Sequence, residues 1–82
     1  MIELLRIPDV TKTTTIPRSS LYKLIENGLF PRQVRIGMRF AGFIKHEVDA
    51  MLDAWVKGLS HDEIKALVKK LHADRLKTET AA

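Results

Sequence analysis

Between positions 18 and 23 the chain places a guanidinium, two hydroxyls, a phenol and an ammonium: Arg18, Ser19, Ser20, Tyr22 and Lys23. Arginine and lysine donate to guanine or to phosphate, hydroxyls bond to either, and the amides at a helix N-terminus attract anions. Farther on, Arg32, Arg35 and Arg39 lie close together in sequence around Met38. Guanidinium groups so placed can neutralise phosphates or enter a minor groove. Other chemistry finds little material. His46, His61 and His72 have no carboxylate or second histidine at the i, i+4 spacing of a helical zinc site. Paired carboxylates, a nucleophile with its base and a phosphate-cradling loop are missing from the pattern. With no cysteine, disulfides, thiolate zinc sites and cysteine nucleophiles are excluded together. The expectation is a binding module with neither metal nor cofactor, and not an enzyme.

The charge distribution points the same way. Of the net +4, residues 1–45 carry eight basic against three acidic side chains, and residues 46–82 carry six against seven. The whole excess therefore belongs to the first half, which is the half a polyanion would meet. A chain of 82 residues, 45% of them hydrophobic, has room for one modest core and little left for a buried cleft. Its apolar residues are scattered, and no run approaches the roughly 20 needed to span a bilayer.

The elements that must position these side chains are legible from periodicity and punctuation. Pro8 beside Asp9 suits the first turn of a helix running from about Pro8 to Thr13. Thr13-Thr14-Thr15-Ile16-Pro17 breaks it, because β-branched residues ahead of a proline resist the helical conformation. A second helix of about ten residues follows, with Leu21, Leu24 and Ile25 on one side and Gly28 as its C-terminal cap. Phe30-Pro31 restarts the chain in an extended state. Val34-Arg35-Ile36 and Phe40–Ile44 read as two short strands around a Gly37-Met38-Arg39 loop, a hairpin that must lean on the helices to be stable. Val48, Met51, Leu52, Trp55 and Val56 then recur at helical spacing, with Trp55 as a core anchor, and Gly58 closes this third helix. Ser60 and Glu63 form a capping box, with Leu59 and Ile64 as its hydrophobic staple, and so begin a fourth helix. Its apolar residues Ile64, Leu67, Val68 and Leu71 thin out toward Leu76, and Thr78 to Ala82 is expected to fray. These residues either close the chain's own core or dock on another copy. The chain thus divides into a unit at 1–58 and a C-terminal amphipathic helix at 59–82.

On the second helix, Ser19, Tyr22, Lys23 and Glu26 fall at i, i+3, i+4 and i+7, opposite the leucine stripe, with Arg18 and Ser20 at its start. Any solvated helix presents such a face, and Tyr22 can be either a phosphate contact or an ordinary exposed tyrosine. The order of elements favours a recognition face for the helix and leaves both readings of Tyr22 open. Two short helices joined by a tight turn, then a basic hairpin and a packing helix, make a mainly α, winged helix-turn-helix fold.

Leu5-Arg6-Ile7-Pro8-Asp9-Val10, Arg18-Ser19-Ser20-Leu21-Tyr22-Lys23-Leu24-Ile25, Gly28-Leu29-Phe30-Pro31 and Gly42-Phe43-Ile44 with Glu47-Val48-Asp49-Ala50 resemble the AlpA family of prophage regulators. That family is in turn similar to MerR-like winged helices and to phage excisionases. The resemblance covers about residues 4 to 56. It implies a second helix in the major groove, with Arg18, Ser19, Ser20, Tyr22 and Lys23 reading bases. It implies a wing on the backbone or minor groove, carried by Arg32, Arg35, Met38 and Arg39. It further implies activation of an integrase gene or excision of an integrated element, in the bacterial cytoplasm and on nucleoid DNA, with the integrase and further copies at adjacent sites as partners. A second reading makes the chain a protein-interaction module, such as an anti-repressor, acting through its fourth helix. The chain departs from the family pattern at three places. Thr15 and Pro17 stand where a turn glycine and a capping serine are usual. Phe40 replaces a small polar residue and can meet DNA sugars, the core or a neighbouring subunit. Met38 replaces a small residue at the wing tip, as an apolar contact in a groove or an adaptable surface side chain.

Overall fold

The computed structural model describes residues 2–81, and their side chains as far as Leu76, so the expectation of fraying from Thr78 to Ala82 lies outside the described side chains. The elements run β1 (Leu4–Leu5), α1 (Ile7–Thr14), α2 (Arg18–Glu26), β2 (Val34–Ile36), β3 (Phe40–Ile44), α3 (Lys45–Val56) and α4 (His61–Ala81). The architecture is four helices around a small antiparallel sheet, a winged helix-turn-helix extended by a C-terminal helix.

Local chemistry explains each boundary. Asp9 accepts the Arg6 N–H at the start of α1, where a carboxylate also complements the positive helix end. At its far end the Thr14 hydroxyl donates to the Val10 carbonyl at 2.7 Å and accepts the Ile16 N–H at 3.3 Å, which satisfies the turn within the protein. Thr15 itself adopts φ 62° and ψ 10°, the left-handed conformation, at the position where the family resemblance places glycine. A β-branched residue is strained there. The ends of α2 and α3 share one motif: Gly28 N–H bonds to the Ile25 carbonyl and Leu29 N–H to Leu24, just as Gly58 bonds to Trp55 and Leu59 to Ala54. The Ser60–Glu63 capping box opens α4 with reciprocal bonds of 3.0 and 3.3 Å. The Ser60 backbone N–H, and then its hydroxyl, hold the Glu63 carboxyl below its ordinary range.

The sheet contains a strand that the sequence reading lacks. β1 pairs antiparallel with β3, Leu4 opposite Ile44 and Leu5 opposite Phe43, and the Lys45 N–H extends the pairing to the Glu3 carbonyl at 2.8 Å. The sheet order is therefore β1-β3-β2, with the hairpin's Val34–Gly42 and Ile36–Phe40 pairs on the other side of β3. Gly42 is what admits β1. A Cβ there would sit 3.3 Å from the Leu5 carbonyl oxygen and 3.4 Å from the Leu4 Cβ.

Leu5 and Phe43 face the helices. The opposite face carries Leu4, Ile44, Val34, Ile36 and Phe40, so both sides of this sheet are apolar. Phe40 is 66% exposed, which removes the core from its possible settings. The core itself joins Val10, Leu21, Phe30, Phe43, Val48, Met51 and Ala54 to Ile64, Val68 and Leu71 of α4. On α3 the buried stripe sits one position off the expected one: Ala54 is buried and Val56 is 86% exposed, while Trp55 is half-buried and stacks on Phe30 at 6.0 Å.

Two substitutions test this account. Gly42→Val is expected to lower stability by about 1–3 kcal/mol through overpacking. Amide exchange at Lys45 should rise with it, because β1 must move away, and urea denaturation with hydrogen exchange checks both. Thr15→Gly is expected to raise stability by about 0.5–1 kcal/mol, since glycine removes the left-handed strain at the price of some chain entropy. A thermal melt that falls for Thr15→Gly contradicts the strain.

Candidate nucleic-acid interface

Helix α2 is held down by Leu21, which is fully buried, and by the half-buried Leu24 and Ile25. That anchorage turns its other side outward. Arg18, Ser19, Ser20, Tyr22 and Lys23 are all exposed. The Arg18 guanidinium lies 5.9 Å from the centre of the Tyr22 ring, a cation–π contact one helical turn apart. Pro17 occupies the N-cap and no side chain caps the helix, so the amides of its first turn are left for an outside acceptor. An exposed arginine, exposed serines and uncapped amides at one helix end suit a phosphate oxygen.

The hairpin presents the second group. Arg32, Arg35, Met38 and Arg39 are all exposed, Met38 at 95%. Arg35 pairs across the sheet with Ala41, which puts it on the face shared with Phe43 and the helices, but beyond their cover. Met38 and Arg39 occupy the turn between the strands. Behind them Ile36 and Phe40 form an exposed cross-strand pair on the outer face. A cleft of about 690 Å³ opens farther along that outer face, with apolar walls such as Leu4, Ile44 and Leu76 and with Arg32, His46 and Arg75 among its polar lining.

Arg32 is placed by residues to which the sequence reading gives no such role. Its N–H donates to His72 Nε2 at 3.1 Å, and its carbonyl accepts a bond from Arg75 Nη2. The same Arg75 guanidinium bridges to Glu47, with Nε to Oε2 at 2.8 Å and Nη2 to Oε1 at 2.6 Å. Glu47 is 1% exposed, so this two-pronged pairing is what allows a carboxylate to be buried in the first turn of α3. One signal of it was readable: an acid among the apolar positions of an amphipathic helix demands a partner. His72 had no such signal, since on a helical wheel it resembles any solvated residue. Its imidazole is held below its ordinary pKa by burial, reinforced by the charges of Arg75 and Arg32 and opposed by Glu47. The ring is thereby kept neutral, as an acceptor must be. Among the described residues, no three of His, Cys, Asp and Glu gather as a metal would require.

A groove-sized helix with one side anchored, followed by a basic hairpin on the same core, defines the winged helix-turn-helix class. Residues 3–57 match the family model described as prophage CP4-57 regulatory protein (AlpA), and the chain belongs to that family. It is also 35% identical over 54 residues to an uncharacterized protein, ORF88, of Enterobacteria phage P4, an alignment covering 66% of this chain and 61% of that protein. The chain thus spans less than two thirds of that relative's length. No solved structure matches the chain. Among the described residues no helix is long and apolar enough to cross a membrane.

The acceptor role of His72 fixes a pH dependence. A folded-state pKa below the unfolded value of about 6.5 means that the unfolded chain binds the proton first. The stabilisation is therefore complete above about pH 6.5 and is lost as pH falls through the folded-state value. Urea midpoints are expected to decline between pH 7.5 and 5, and less steeply in His72→Phe. Parallel declines in both proteins would remove His72 as the group responsible.

Proposed function

We propose that this protein is a sequence-specific DNA-binding regulator of a prophage or other integrated element. On this reading α2 enters the major groove, where Arg18, Ser19, Ser20, Tyr22 and Lys23 meet base edges and flanking phosphates. The wing lies on the backbone or in the minor groove through Arg32, Arg35, Met38 and Arg39. The observation that carries the reading is the division of α2: Leu21 is fully buried, while Ser19, Tyr22, Lys23 and Glu26 on the other side, and Arg18 and Ser20 at the helix start, are exposed. Family membership and the basic first half of the chain support it.

Such a grip serves two outcomes, transcription of an integrase gene and excision of the element by a recombination complex. In both, the partners are double-stranded DNA, further copies on adjacent sites and the integrase, and the setting is the bacterial cytoplasm. No enzymatic step is needed. The alternative of a protein-docking module working through the C-terminal helix has less surface to draw on, because Ile64, Val68 and Leu71 are buried in the chain's own core.

The test is fluorescence anisotropy with labelled duplexes from the element's own attachment site and promoter, with heparin as competitor. Lys23→Ala or Arg18→Ala is expected to weaken specific binding by about 1–3 kcal/mol, roughly 5- to 150-fold, where the residue reads a base. Arg35→Ala or Arg39→Ala should weaken all sequences alike and reduce the salt slope by about 0.9 per lost phosphate contact. Affinity unchanged in all four variants would defeat the proposal.

A further inference from the structure

The contacts made by α4 reach beyond packing. Its apolar residues close the core, but two polar ones turn away from it and grip a single residue of the neighbouring segment. His72 takes the Arg32 N–H and Arg75 takes the Arg32 carbonyl, so both peptide units flanking one Cα are fixed by side chains from a helix 40 residues on. The Arg32 side chain remains exposed. Arg75 is itself immobilised by the buried Glu47 of α3, which makes the grip a chain of contacts from α3 through α4 to the root of the wing. The match to the family ends at residue 57, so His72 and Arg75 both lie outside it.

From this geometry we infer that α4 is a positioning arm for DNA binding: His72 and Arg75 orient the Arg32 backbone so that its guanidinium meets the nucleic-acid backbone ready-aligned. The inference rests on the DNA-binding reading above. Its physical basis is preorganisation. A segment held in its bound conformation before the encounter does not have to be ordered during it, and the difference appears as affinity without any new contact. If α4 merely closed the core, loosening this grip would lower the melting temperature but leave the affinity of the folded protein unchanged.

The experiment compares the full-length protein with His72→Phe, which keeps a ring of similar size but offers no acceptor. A second variant, Glu47→Leu with Arg75→Leu, removes the other hold without stranding a buried charge. His72→Gln, whose amide oxygen can again accept the Arg32 N–H, serves as the rescue. Each is titrated by anisotropy at two salt concentrations against the labelled attachment-site duplex, alone and combined with Arg32→Ala, with Lys23→Ala as reference and circular dichroism to establish folding. Removing either hold is expected to weaken binding about 5- to 10-fold and to reduce the salt slope by about 0.9, the loss of one phosphate contact. His72→Gln should restore both. Combined with Arg32→Ala, neither change should weaken binding further, because arm and arginine act as one unit. Unchanged affinity in the folded arm variants, or losses that simply add to that of Arg32→Ala, would overturn the arm while Lys23→Ala still weakens binding. If Lys23→Ala and Arg32→Ala are also without effect, the DNA-binding reading fails and the arm with it.

Discussion

Phe30 ties the molecule together. Its ring is fully buried on the stretch between α2 and the wing, where it meets Phe43 of β3 edge-on at 5.6 Å and stacks on Trp55 of α3 at 6.0 Å. Aromatic contacts of this kind bury large areas and fix relative orientation as well as distance. The spacing of α2 and the wing is thereby set, because the residue that joins them in sequence is also the one packed between strand and helix. Leu21 of α2 and Met51 of α3 belong to the same cluster.

Most of this was legible before any coordinates. The helices announce themselves through apolar spacing, their ends through Gly28, Gly58 and the Ser60–Glu63 box, and the exposed residues of α2 follow from where Leu21 must go. Three things were not. β1 consists of two consecutive leucines, too short for an alternation to show, and its partner lies far along the chain; Gly42 is its one local trace. Val56 has apolar character but points to solvent, because the buried stripe of α3 is centred on Glu47, Val48, Met51 and Ala54. The grip of α4 on Arg32 joins residues 40 and more apart, none of which looks unusual in its own neighbourhood. Exposure can thus be deduced from local pattern, whereas the fixing of one exposed side chain by a distant element cannot.

Thr15 shows how a departure from the family pattern is accommodated rather than avoided. The turn between α1 and α2 needs one left-handed residue, and threonine takes that conformation at an energetic cost while Thr14 satisfies the surrounding backbone groups. The core evidently holds the two helices strongly enough to impose it. That α4 adds Ile64, Val68 and Leu71 to a core otherwise built from the family-matched residues is consistent with such a reserve.

One junction has mechanical meaning. β3 ends at Ile44 and α3 begins at Lys45, with no connecting residue between strand and helix. Flexible hinges are made of loop positions that can absorb changes in backbone angle, and this joint offers none. Sideways load on the paired strands of the hairpin therefore passes through this joint into α3, where Val48 and Met51 are buried. Compliance is left to the turn at residues 37–39, beyond the last paired residues of the hairpin.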